Sequence, residues 1–441
     1  MDRHAHALAT TLSGRRKSLA VVGAGWAGLA AAVRATEAGH QVTLFEMAPQ
    51  PGGRARAVEH DGIALDNGQH ILIGAYRDTL AVMRTVGADP DVLLERRPLA
   101  LTDAQGHGLA LPGGPAVPAF VRGVLGLKSW PLSERLSLLV AAVRWRLVGF
   151  RADAALTVAE LVQTLPERVR TSLIEPLCVA ALNTPSSQAS AQVFLRVLRD
   201  ALFSGPGAAD LLLPRAPLSD LLPTPATRWL EDKGADLRWS TRAQHLAPTD
   251  DGRWSIDGES FDALVLACSA HEAARMAQPV APSWAQTAAA FDYEPIVTVY
   301  FQSPGARLPS PMVALHAGPD APAQFAFDLG VLNRSGGRDG LFAFVVSGAR
   351  DWVEAGLDAT AQAALRQARA SFPSMSWQVL RTIGERRATF LCKPGLVRPP
   401  THVAPALAAA GDYIDGPYPA TLEGAVRSAL KALDSLGLRT L

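Results

Sequence analysis

Cysteine is scarce. Cys178, Cys268 and Cys392 stand far apart in 441 residues and form no Cys-x-x-Cys pair. That spacing excludes a disulfide framework and a cysteine-based zinc site, and it fits a reducing compartment. Each of the three reads as a small buried hydrophobe. No cluster of His, Cys and carboxylate residues has ligand spacing, so no metal site is expected. A surplus of charge is missing too. The 42 Lys and Arg offset 41 Asp and Glu, and a formal charge of +1 gives no global field to attract nucleic acid. No apolar run reaches the roughly 18 residues that a membrane-spanning helix needs. The length allows one large or two medium cores, and two interleaved domains are expected.

What is present concentrates near the start. The apolar run 18–22 suits a buried strand, and Gly23-Ala24-Gly25-Trp26-Ala27-Gly28 follows it. An Ala-rich helical pattern then runs to Ala38 and is closed by Gly39. A second strand, 41–45, delivers Glu46. Strand, glycine turn, helix, strand and acid in one unit of about thirty residues is the dinucleotide-binding fingerprint. The first glycine allows the tight turn, the second lets the backbone approach a pyrophosphate, and the third lets the helix pack on the sheet. The helix N-terminus offers N–H groups and the positive end of its dipole to phosphate. Glu46 is expected to accept hydrogen bonds from ribose hydroxyls. Arg15-Arg16-Lys17 before this stretch has the look of a twin-arginine export signal, but its apolar core is the fingerprint itself. Residues 1–17 therefore read as a disordered lead-in, and the protein as cytoplasmic.

Gly52-Gly53-Arg54 completes the pattern GxGxxGxxxA…GxxV…ExxxxxGGR, which resembles the flavin-binding signature of the amine oxidase and phytoene desaturase superfamily. The resemblance implies FAD rather than NAD, with Arg54 forking onto the pyrophosphate. Ala35 stands where that family often has leucine. Near the other end, Gly411-Asp412 and the loop 416–426 resemble the family's second FAD motif. There Asp412 would accept from the ribityl chain, and the helix N-terminus around Thr421, Leu422 and Ala425 would face the isoalloxazine. Ser428-Ala429 replaces the usual Ser-Gly.

The run 66–76, with Gly68 and His70, is similar to one that plant-type carotene desaturases carry beside the flavin, and is closer still to the hydroxysqualene dehydroxylases of hopanoid biosynthesis. Segments 175–185 and 211–219 share that likeness. It implies that reduced flavin replaces the allylic hydroxyl of hydroxysqualene by hydrogen, giving squalene. His70 is a candidate proton donor or relay, or else a satisfied histidine bracing the flavin loop. Arg215 is a candidate to orient the hydroxyl, or else a solvated loop arginine. A carotenoid-type desaturase, an amine oxidase and a non-enzymatic FAD-binding protein are the alternatives.

Residues 118–151 mix apolar bulk, including Trp130 and Trp145, with six basic residues and one acid, Glu134. This reads as a segment that dips into an anionic bilayer surface, or as a helical cap with a solvated basic face. The expected fold is α/β. It combines a discontinuous Rossmann-type FAD-binding domain (18–80, 226–275, 385–441) with an α+β substrate domain (81–225, 276–384) that carries a mixed or antiparallel sheet and this helical insertion. The long-chain isoprenoid would reach it through peripheral contact with the inner face of the membrane.

Overall fold

The structure, a computed structural model, describes residues 16–333 and 338–438; most of the expected lead-in lies outside them. Its first layer is a six-stranded sheet in the order Asp236–Arg238, Gln41–Phe45, Ser18–Val22, Ala263–Leu266, Leu407–Ala409, His402–Ala404. Every neighbouring pair is parallel except the last, which closes the edge antiparallel. Both faces of this sheet are covered, which explains the near-continuous apolar strands. Leu19, Val21, Leu44 and Val265 pack with the helices Trp26–Glu37 and Leu422–Ser435, while Ala20, Val22, Phe45 and Leu266 join the core beneath the helical insertion. Because the strands come from three distant stretches, the glycine turns at their C-terminal ends converge on one edge, where doubly wound sheets bind ligands.

The second layer is a five-stranded antiparallel sheet in the order Met312–Ala314, Phe325–Asp328, Leu341–Val346, Tyr293–Gln302, Gln378–Phe390. Alternation divides it cleanly. Val297, Val299, Phe301, Phe342 and Phe344 face the helix Leu357–Ser371, and Tyr300, Ala343 and Val345 face the opposite side. That opposite face meets a small sheet of Leu72–Ile73, Leu211–Pro214 and Leu94–Arg97.

The insertion is helical, as the composition of 118–151 implies, and comprises Ala116–Leu125, Leu132–Leu147, several short turns and Glu175–Leu182, then Ala191–Leu202. A π-helical turn, Arg170–Ile174, leads directly into Glu175–Leu182. Trp130 and Trp145 are both buried in the core, as in a helical cap, so neither anchors the segment in a bilayer.

Candidate functional site

The N-terminal motif folds as local chemistry dictates. Gly23 takes a positive φ of 105°, and its N–H donates to the Phe45 carbonyl at 2.7 Å. A Cβ on Gly28 would stand 1.8 Å from the Gly23 carbonyl oxygen, so only glycine lets the helix start against the turn. Gly25 is different. Among the described residues, nothing beyond its chain neighbours lies within 4 Å of where its Cβ would be, and it lines a cleft of about 440 Å³. The second glycine turn closes onto the first: Gly52 N–H donates to Ala24 O at 2.8 Å, and Gly53 backs onto Gly25.

The cleft gathers almost every residue the motifs point to. Gly23, Gly25, Trp26, Ala27, Glu46, Gly52, Gly53, Arg54, Gly68, His70, Gly411, Asp412, Thr421, Leu422 and Ala425 all line it. Ala24 and Gly28 do not; they shape the turn from behind. Ala24 N–H is already committed to Glu46 Oε2 at 2.7 Å, while Glu46 Oε1 accepts from Ala48 N–H at 2.8 Å. Glu46 therefore ties two loops together, and a carboxylate with both oxygens so used retains acceptor capacity for a ribose.

Arg54 and Asp412, 358 residues apart, meet at 2.6 Å. Arg54 also donates to the Ala388 carbonyl at 2.7 Å. The ion pair locks the Gly52-Gly53-Arg54 turn to the C-terminal motif, and the guanidinium's remaining donors are what a phosphate would use. At the second motif, a Cβ on Gly411 would stand 2.4 Å from the Tyr413 ring, and Gly411 N–H donates to Ser428 Oγ at 2.7 Å. Thr421 caps the closing helix, its Oγ1 accepting from Gly424 N–H at 3.0 Å. The N-terminus of this helix opens on the cleft.

His70 Nδ1 lies 2.8 Å from the Gly68 carbonyl, which makes that nitrogen the N–H donor of a neutral ring. Burial, reinforced by the Arg54 charge, lowers its pKa against the opposing pull of that hydrogen bond. Bracing of the loop is thus visible in the geometry. Arg215 is not brought to the cleft. It is exposed, lies 3.5 Å from Glu95, and stands with Asp220 and Arg338 around a separate groove. The physical reason is its place just past the buried strand Leu211–Pro214, where its N–H donates to the Leu93 carbonyl at 2.8 Å and sets it on the groove beside Leu93 and Glu95.

Several lining residues were not singled out from sequence. Asn67 donates from Nδ2 to the Arg54 carbonyl and to Glu385 Oε2, both at 3.1 Å. Asn183, in left-handed conformation at the end of Glu175–Leu182, donates to Thr389 Oγ1 at 2.9 Å and accepts from Gly348 N–H at 2.7 Å. It pins the helical insertion to the antiparallel sheet. Asn67 and Asn183 lie inside the family-like segments 66–76 and 175–185. Glu385 had no local signal, because only the long pairing of Ile296 with Glu385 turns it to the cleft. Cys268 also lines the cleft, but burial pushes its thiol up to about 12, so it is no nucleophile at neutral pH. Among the described residues no group of His, Cys, Asp or Glu could hold a metal ion.

The sequence profile of the family described as flavin containing amine oxidoreductase matches residues 26–434. The chain belongs to that family. FAD is the cofactor of this flavin oxidoreductase, and the site fits it. Gly25 leaves open the space a Cβ would fill, a helix N-terminus faces the cleft, and Gln69 Oε1 on the lining is a buried acceptor without a partner among the described residues. An orphaned acceptor of this kind suits a ligand bringing N–H or O–H donors. Among curated relatives, hydroxysqualene dehydroxylase of Rhodopseudomonas palustris is 28% identical over 438 residues, covering 95% of this chain and 98% of that protein. A probable zeta-carotene desaturase of Synechococcus elongatus is 41% identical over only 76 residues, 17% of this chain and 16% of that protein. In architecture, this flavin oxidoreductase resembles an oxidoreductase from Methanosarcina mazei, with a TM-score of 0.72 at 15% identity, covering 95% of this chain and all of that one.

Proposed function

We propose that the protein reduces hydroxysqualene to squalene, removing the allylic hydroxyl as water, in the squalene and hopanoid route. The observation that carries this reading is similarity along nearly the whole of both chains to a hydroxysqualene dehydroxylase, whereas the desaturase likeness is confined to a short stretch. Amine oxidation finds less support. Tyr413 and Tyr418 are both absent from the cleft lining, Tyr413 being buried in the core and Tyr418 set edge-on to Tyr76 at 5.9 Å.

Bound FAD, once reduced, supplies the hydride that replaces the hydroxyl. The chain's own residues do the rest. Ile71, Ala180, Ala181, Leu182 and Ile296 give the cleft an apolar wall that receives the hydrocarbon and excludes water. Loss of hydroxide needs a proton. His70, whose Nδ1 is held by Gly68, takes up and delivers that proton at Nε2. The Glu385 carboxylate, steadied by Asn67 on the cleft lining, supplies the negative charge that would stabilise positive charge developing on the substrate. Arg215 has no part in this scheme.

A thirty-carbon hydrocarbon exposed to water would cost about 20 kcal/mol, taking ~0.8 kcal/mol per methylene. The enzyme accordingly works in peripheral contact with the inner face of the cytoplasmic membrane. We take the chain as a discontinuous FAD domain around the parallel sheet and a substrate domain around the antiparallel sheet. The test is product analysis: holoenzyme given a reductant and hydroxysqualene should form squalene and water. Unchanged substrate, or a more unsaturated product, would defeat the proposal.

A further inference from the structure

The helix Leu132–Leu147 carries apolar side chains on two faces. Leu138, Ala142 and Trp145 are buried against the core. On the other face Leu132, Leu136, Val140, Val143 and Leu147 are 56, 47, 50, 57 and 80% exposed. At about 100° per residue these five fall within an arc of about 80°, a single stripe along the full helix. Leu125, at the end of the neighbouring helix, and Val148 are exposed as well. Isolated exposed leucines are ordinary, but an aligned stripe of this length marks a surface that something covers.

The charges around the stripe say what. On the same helical projection Arg144 flanks one side, and Arg135 and Arg146 flank the other. Arg144 and Arg146 are exposed and make no ion pair among the described residues. Glu134, the sole acid of the helix, is turned away toward Arg168 at 3.6 Å. Lys128 and Arg151 stand exposed just beyond its two ends. An apolar stripe between two cationic margins matches the layering of a lipid leaflet, acyl chains below and anionic headgroups above. A second copy of the chain would instead bring arginines against arginines.

We infer that this stripe is the membrane-docking face, seated at the headgroup–acyl boundary of an anionic bilayer with the helix parallel to the surface. The inference deepens the proposed function and rests on it only for the purpose of docking, which is to admit a water-insoluble substrate. The route inward is continuous in the fold. Leu132–Leu147 packs on Glu167–Val169, which runs through the π-turn into Glu175–Leu182, and the end of that helix lines the cleft.

Flotation of the holoenzyme with vesicles is the test. Phosphatidylcholine vesicles containing phosphatidylglycerol should carry the wild-type protein upward, and pure phosphatidylcholine vesicles far less. Leu136→Glu with Val143→Glu should cut retention at least tenfold. Arg144→Gln with Arg146→Gln should erase most of the preference for phosphatidylglycerol, at about fivefold per arginine. Both double variants should keep wild-type flavin content, and wild-type turnover when substrate is supplied in detergent micelles. Three results would overturn the inference: no preference for the anionic vesicles, flotation unaffected by the glutamates, or a wild-type dimer in light scattering that the glutamates dissociate. Absence of turnover in micelles by the wild type would sink the proposed reaction instead, and leaves the flotation result standing on its own.

Discussion

Replacing Gly25 and Gly28 separately by alanine distinguishes a glycine required by the protein from one required by the ligand. Gly25 has φ −71° and ψ 179°, a backbone any residue adopts, and among the described residues no atom beyond its chain neighbours lies within 4 Å of the added methyl. As the residue preceding the helix, alanine there is a poorer cap by about 1 kcal/mol or less, and the stiffer unfolded chain returns about 0.4–1 kcal/mol. Net stability should hardly change. FAD binding should weaken, because the methyl projects into the space a pyrophosphate would use. An intruding methylene costs about 1–3 kcal/mol, which is about 5- to 150-fold in Kd. Gly28→Ala should behave in the opposite sense. Its methyl meets the Gly23 carbonyl at 1.8 Å, the helix must shift, and the apoprotein itself should lose stability by at least the same 1–3 kcal/mol. The assay pairs thermal unfolding of the apoproteins with FAD titration followed by flavin fluorescence. Wild-type FAD affinity in Gly25→Ala, or an apoprotein that melts as low as Gly28→Ala, would refute the reasoning.

His70→Ala should lower kcat at least tenfold with flavin content unchanged; because burial lowers the pKa below its usual 6.5, wild-type turnover should rise as pH falls through that region, and the variant should lose the dependence. Wild-type turnover in the variant would leave His70 only its bracing role. Glu385→Gln keeps the shape and an acceptor for Asn67 but removes the charge, so kcat should drop about tenfold or more while KM holds; unchanged kcat would exclude electrostatic assistance by this carboxylate. Asp66 tests the folded state. Its carboxyl is raised from 3.8 to about 6 by burial, against the Leu218 N–H and the Arg338 charge. The native state therefore holds its proton more tightly than the unfolded chain, and stability should fall as pH rises from 3.8 to about 6, by about 3 kcal/mol in all. Asp66→Asn should flatten that slope in denaturant melts, and an identical slope would disprove it.

How much was legible from the sequence depended on how far apart the contributing residues lie. The glycine turns were readable because Gly28 and Gly411 answer to neighbours within a few residues, the Gly23 carbonyl and the Tyr413 ring. Their meeting in one cleft followed from the strand pattern, since parallel strands bring successive C-terminal turns to one edge. Arg54 and Asp412 were each recognisable, but their mutual ion pair was not, for nothing local couples positions 358 residues apart. Glu385 was invisible for the same reason, its direction being fixed by pairing with Ile296 across a bulged sheet. Arg215 showed the converse error: a loop arginine between prolines carries no record of which end of the strand faces the site. In the helix Leu132–Leu147 both faces are apolar, so composition alone could not say that Leu138 and Trp145 turn inward while Leu132, Leu136, Val140, Val143 and Leu147 turn outward.

The central claim is that a flavin held between the two glycine motifs delivers hydride to an allylic alcohol. Anaerobic mixing of the reduced holoenzyme with hydroxysqualene tests it most directly, by following the flavin absorbance. Return of the oxidised spectrum, with one squalene formed per flavin, is the predicted result. A spectrum that stays bleached with hydroxysqualene, while a hydrocarbon polyene reduces the oxidised enzyme, would contradict it.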